Sequence, residues 1–124
     1  CRGLMNIVHE IEGTLPPDIT KGVLFLHLLH TSAALTINEN ADPDVLHDME
    51  LYLEHLAPEK LTGIRHIIEG PDDMPAHVKS SLFGVSIQLP IARGEIVLGR
   101  WQGVFLCEFR NQPRPRRIFM TILY

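Results

Sequence analysis

Gly22 to Leu29 reads GVLFLHLL and Thr31 to Ile37 reads TSAALTI, and the contrast between these neighbours decides the fold. The first run hardly alternates. That suits a strand covered on both faces, one by the sheet's own core and the other by a helix or a second subunit. The second run alternates: Ala33, Leu35 and Ile37 fall on one side, while Ser32, Ala34 and Thr36 leave a small, polar side that another element can approach.

Outward from this pair the pattern changes period. Gly3 to Ile11 (GLMNIVHEI) predicts a strand, and Leu15 to Thr20, with Pro16 and Pro17, a turn or short helical piece. Asn38 to Asp44 is polar and turn-like. Asp42 then caps a helix whose first residue is Pro43, where a missing N–H costs nothing, and which runs to about Leu56 before Pro58. Val45, Met49, Tyr52, Leu53 and Leu56 recur at helical steps as its packed stripe. Lys60 to Met74 has no clean period and reads as a functional loop. Pro75 to Phe83 predicts a second helix, ended by Gly84, with Val78 and Leu82 as its core stripe. Short strands follow at Val85 to Leu89, Glu95 to Leu98, Trp101 to Phe109 and Arg117 to Leu123, with a Pro-rich turn at Asn111 to Pro115. The expectation is one α+β domain over residues 1–124, with mainly antiparallel, sandwich-like sheets and two helices. So many strand edges in so short a chain favour a homo-oligomer.

Composition narrows the function classes. The chain has 124 residues, 45% of them hydrophobic, and a formal net charge of −4, so no general field draws nucleic acid. Its apolar runs are much shorter than the roughly 20 residues that span a bilayer, and no basic-then-apolar leader opens the sequence, so a soluble, cytoplasmic protein is expected, with no membrane partner. Two cysteines make no disulfide framework: Cys1 reads as a free end and Cys107 as a small core residue.

Seven histidines stand out. His30 ends the apolar strand beside Thr31 and Ser32, where its ordinary role is a hydrogen bond to a turn carbonyl; His27, an odd number of residues earlier, points to the other face. Glu69 to Ser81 (EGPDDMPAHVKSS) is the densest polar stretch. Asp72 and Asp73 either complement a helix dipole or take part in chemistry. His77, Ser80 and Ser81 share one helical face, and with Lys79 they offer a cradle for an anion at the helix start. His66 can fold back from the preceding loop. Imidazoles from three segments, His30, His66 and His77, form a candidate metal set with a position left open for water or substrate. Asp42 and Asp44 are explained by capping, which leaves Glu39 without a structural role. Trp101, flanked by glycines, can stack on a ring or sit at an interface, and Arg110 can meet a phosphate. Nucleophile-elbow, phosphate-loop and dinucleotide motifs are absent.

The strings HTSAALTINENADPDV (30–45), EGPDDMPAHVKSSLFG (69–84), LPIARGEIVLGRWQG (89–103) and LCEFR (106–110) resemble the YjbQ family closely, from about Gly3 to Leu123. That resemblance implies a homotrimeric α+β subunit preceded by a further short N-terminal strand. It also implies a secondary thiamine-phosphate synthase activity, which joins a pyrimidine diphosphate to a thiazole phosphate and releases diphosphate. Two positions depart from the family pattern: Arg100 stands where a small Thr is usual, and Tyr124 where the family continues into Gly-Glu. The resulting expectation is a metal-dependent trimeric enzyme. His30, His66 and His77 hold a divalent zinc or magnesium ion; Asp72, Asp73 and Glu39 are catalytic; Lys79, Ser80, Trp101 and Arg110 bind a small phosphorylated metabolite. The alternative is a non-enzymatic trimer that binds such a metabolite without turning it over.

Overall fold

The computed structural model describes residues 2–124, so the reading of Cys1 as a free end lies outside the described residues. Ten elements follow one another: β1 (Gly3–Asn6), α1 (Val8–Thr14), β2 (Lys21–Leu28), β3 (Ala33–Glu39), α2 (Pro43–Leu56), α3 (Asp73–Phe83), β4 (Ser86–Ala92), β5 (Glu95–Ile96), β6 (Gln102–Glu108) and β7 (Ile118–Leu123). The strands form a three-stranded sheet, β1-β6-β3, and a four-stranded sheet, β5-β4-β2-β7, with every pairing antiparallel. This is an α+β fold.

The alternation of β3 sorts its side chains into two cores. Ala33 and Leu35 join Leu24, Leu26, Leu28, Leu89, Ile91 and Val104 between the sheets. Ala34 faces the other way, into a second cluster with Leu53, Ala76, Phe105, Cys107 and Phe109 under α2 and α3. The small side of β3 is therefore occupied by α3, and Ala76 and Ser80 are small enough to let that helix lie close. Gly84 ends α3 at φ 93°, a conformation that favours glycine, and its N–H donates to the Ser80 carbonyl at 2.8 Å.

Four expectations are corrected. The strand expected over Gly3 to Ile11 stops at Asn6, whose Oδ1 accepts the Val8 N–H at 3.0 Å and turns the chain into α1, so the described residues hold three helices rather than two. The second predicted helix starts at Asp73, two residues before Pro75. Its inner face is not Val78 and Leu82, which are exposed, but Ala76, Lys79 and Ser80. On α2 only Leu53 of the expected stripe is fully buried, and Tyr52 and Leu56 face solvent.

For the outer face of the four-stranded sheet, the expected cover was a helix or a second subunit. Leu24, Leu26 and Leu28 are buried, but among the described residues no helix covers the opposite side of β2, where Val23 pairs with Leu123, and His27 with Phe119. Val23, Leu123 and Phe119 are exposed there. No helix among the described residues is long and apolar enough to cross a membrane.

Candidate metal centre

Asp73 and His77 are four residues apart on α3, so they share one helical face. His66 reaches the same place from the loop between α2 and α3. Its Nε2 lies 2.6 Å from Asp73 Oδ2, and His77 Nε2 lies 3.0 Å from that same oxygen. The two rings are 5.4 Å apart between centroids and tilted by 56°. One ligand atom from each of the three residues falls within 4.8 Å of the other two.

The hydrogen-bond roles decide what this cluster can do. His77 Nδ1 lies 2.7 Å from the Thr31 carbonyl, which can only accept, so Nδ1 carries a proton. In the neutral tautomer the Nε2 lone pair then points at an anionic carboxylate oxygen. That contact is favourable only if a positive charge sits between the two, either a second proton or a metal ion. A histidine fixed through Nδ1 to a backbone carbonyl, with Nε2 free, is the arrangement that metal-binding imidazoles use. The donor set therefore fits a divalent ion.

Arg110, just beyond β6, holds the acidic half in place. Its Nε donates to Asp72 Oδ2 at 3.0 Å, its Nη1 to Asp73 Oδ1 at 2.6 Å, and its Nη2 to the Glu69 carbonyl at 2.7 Å. The Asn111 N–H adds a bond to Asp72 Oδ2 at 2.9 Å. Burial alone would raise both carboxyls. For Asp72 the Asn111 and Arg110 hydrogen bonds outweigh it, and for Asp73 the His66 hydrogen bond and the His77 and Arg110 charges do, so both sit below the usual carboxylate range. Because Asp72 is spent on Arg110 and Asn111, it makes no side-chain cap to α3.

The other expected residues fall elsewhere. His30 does not join the cluster: its Nε2 accepts the Arg117 N–H at 2.7 Å, which pins the chain entering β7. Burial, with the Arg116 charge, lowers its pKa and keeps that nitrogen neutral, against the pull of Glu108. The expected three-histidine set is thus replaced by two histidines and Asp73. His30 still borders a cleft of about 450 Å³ with His77 and Ser80. Lys79 is buried, its Nζ 4.9 Å from the Phe109 ring centroid. Desolvation and the Arg2 charge push its pKa down against nearby Glu50, Glu54 and Glu59, and it borders no cleft at the cluster. Glu39 closes the far end of β3, roughly 20 Å from Ala33 at strand rise. It pairs there with Gln102, and its Oε2 is buried without a partner. Trp101 is at that end too: its carbonyl accepts the Asn40 N–H, and Arg100 stacks on its ring at 4.7 Å. Glu39 and Trp101 therefore do not meet the histidine cluster within one subunit. Cys107 is a core thiol, and burial raises its pKa to about 12.

Sequence reasoning missed Arg116, which lies between the expected Pro-rich turn at Asn111 to Pro115 and the strand expected from Arg117. It bonds Glu108 through Nε and Nη2, with Nε to Oε1 at 2.7 Å, and Nη2 also reaches Ser32 Oγ at 3.0 Å. Glu108 is 2% exposed, and a buried carboxylate demands such a partner.

The two-sheet α+β architecture recurs in solved structures of similar small proteins. The whole chain, residues 1–124, matches the family described as "UPF0047 protein YjbQ-like". It belongs to that family. It is 46% identical over 123 residues to UPF0047 protein YjbQ of Salmonella typhimurium, covering 98% of this chain and 88% of that one. It is 38% identical over 121 residues to UPF0047 protein YugU of Bacillus subtilis, covering 97% and 89%. Among solved structures, a conserved hypothetical protein of Thermus thermophilus superposes with a TM-score of 0.88 at 40% identity, over 98% of this chain and 91% of that one.

The acidic clamp gives a pH signature. Asp72 has a depressed folded-state pKa, so its contribution is complete above the unfolded value of about 3.9 and is lost as pH falls through the folded value. Asp72→Asn should cost about 1.5–3 kcal/mol at pH 7, the usual worth of hydrogen bonds to a charged group. Urea unfolding at a series of pH values should show that gap closing steadily below about pH 4; a gap that stays constant into acid would refute the clamp.

Proposed function

We propose that His66, Asp73 and His77 form a divalent-metal centre in an enzyme that transfers a group to or from a small phosphorylated metabolite. The observation that carries this reading is the convergence of two Nε2 atoms on one Asp73 oxygen while His77 Nδ1 is committed to Thr31. Two imidazoles and a carboxylate suit zinc better than magnesium, which prefers an all-oxygen shell and keeps its waters. A bound ion would supply Lewis-acid stabilisation of charge on a phosphoryl or leaving oxygen.

The chain's own residues supply the rest. Thr31 fixes the tautomer and ring plane of His77. Arg110 orients Asp73 through its other oxygen, leaving Oδ2 for the site. Ser80 borders the adjoining cleft with His77 and offers a hydroxyl there. The thiamine-phosphate synthase reaction is the specific chemistry that the family resemblance implies; Asp73 serves it here as a metal ligand, and Asp72, through Arg110, as a positioning group. Glu39, Trp101 and Lys79 stay outside this reading within a single subunit.

The homotrimer is part of the proposal, and the uncovered apolar face of Val23, Phe119 and Leu123 supports it.

Calorimetric titration of chelator-stripped protein with zinc should give one site per chain, and His77→Ala and His66→Ala should each weaken it at least about tenfold. Incubating zinc-loaded protein with the pyrimidine diphosphate and the thiazole phosphate should give product that disappears in His77→Ala. No zinc uptake refutes the metal centre; saturable precursor binding without product replaces the enzyme by the binding trimer. Sedimentation equilibrium should give three times the subunit mass for the wild type and a smaller species for Phe119→Asp; a monomeric wild type would refute the trimer.

A further inference from the structure

A second cleft, of about 660 Å³, adjoins the cluster through Arg110 and is lined by His30, Ser32, Glu69, Arg110, Arg114 and Arg116 among others. Its three guanidinium groups are not equivalent. Arg110 has a protein acceptor for each of its three nitrogens, so it positions carboxylates and has little left for a ligand. Arg116 is held rigidly: its side chain is 9% exposed, Nε and Nη2 are spent on Glu108 and Ser32, and its Nη1 donates to no group among the described residues. Arg114 is exposed and has no protein partner among the described residues. A nine-tenths-buried arginine that keeps one NH2 uncommitted at the wall of a cleft, beside a second, exposed guanidinium, is a fork with no protein oxygen to fill it.

The charge balance sets a condition on what can enter. The three arginines face four carboxylates, namely Glu69 at the rim and Asp72, Asp73 and Glu108 behind the wall. The cleft is thus not an anion trap by itself. A divalent ion at Asp73 would reverse the local sign, and Arg110 joins the two places, touching Asp73 with one nitrogen while lining the cleft.

We infer that this cleft seats the phosphoryl group of the metabolite, on Arg116 Nη1 and Arg114, and that it does so only when the neighbouring metal centre is loaded. This rests on the proposed metal centre and adds to it a separate subsite, a ligand class and a coupling between the two. The coupling is reciprocal: whatever factor the metal gives to anion affinity, the anion returns to metal affinity. At this volume the cleft holds a phosphorylated small molecule and not just a free ion.

Phenyl phosphate is a suitable probe, with benzoate as a planar carboxylate of similar size. Titrations followed by calorimetry should show phenyl phosphate binding to zinc-loaded protein at least about tenfold more tightly than to the stripped protein. Arg114→Gln, a change at an exposed side chain, should lose about tenfold in phenyl phosphate affinity with zinc affinity in the absence of phosphate unchanged, and Arg116→Lys should lose at least as much. Zinc uptake with undiminished phosphate affinity in Arg114→Gln, benzoate binding as tightly as phenyl phosphate, or equal affinity with and without zinc would each overturn the subsite alone. Failure of zinc to bind at all would overturn the metal centre and the subsite with it.

Discussion

A single guanidinium group holds the site together. Arg110 leaves the end of β6 and, with three nitrogens, ties Asp72, Asp73 and the Glu69 carbonyl to one plane. Three contacts from one planar group fix direction as well as charge. Two adjacent carboxylates at the head of a helix would otherwise repel each other and swing toward water. Clamped, Asp73 is left with one oxygen facing outward, and the two imidazoles meet on that oxygen.

The layers determine where the clamp sits. Because β3 sends Ala33 and Leu35 to one core and Ala34 to another, α3 can pack directly on the middle sheet. That places His77 beside Thr31, just before β3, and brings Arg110, just beyond β6, to the N-terminal end of α3, since β6 is antiparallel to β3 and Glu108 lies opposite Ala33. The catalytic proposal therefore depends on small residues far from any reacting atom. A bulky side chain at Ala76 or Ala34 would separate the helix from the sheet and pull the imidazole away from its carbonyl.

Much of this was legible in the residues. Asp42-Pro43 marked the start of α2 correctly, since a capping carboxylate and a proline at the first turn have one common meaning, and Asp42 Oδ1 does accept the Asp44 N–H. The alternation of β3 announced two different faces. Asp73 fell two residues outside the helix expected from Pro75, so its i,i+4 relation to His77 did not show, and nothing in the sequence separated His66, which joins the cluster, from His30, which does not, because loop closure leaves no periodic trace. The inner face of α3 read wrongly for a related reason. Hydrophobicity nominated Val78 and Leu82, while close packing on Ala34 selected Ala76 and Ser80 and carried Lys79 inward, its charge over the Phe109 ring. Arg116 was hidden because a proline-rich basic turn looks the same in sequence whether or not a buried glutamate is waiting for it.

Two polar ends thus emerge on one subunit: the clamp with its histidines, and the distant grouping of Glu39 and Trp101. The first carries the functional claim. X-ray absorption at the zinc edge of stoichiometrically loaded protein tests that claim most directly. The account predicts a shell of nitrogen and oxygen at about 2.0–2.1 Å with the outer-shell scattering of two imidazole rings. A shell of six oxygens, or one without imidazole scattering, would contradict it.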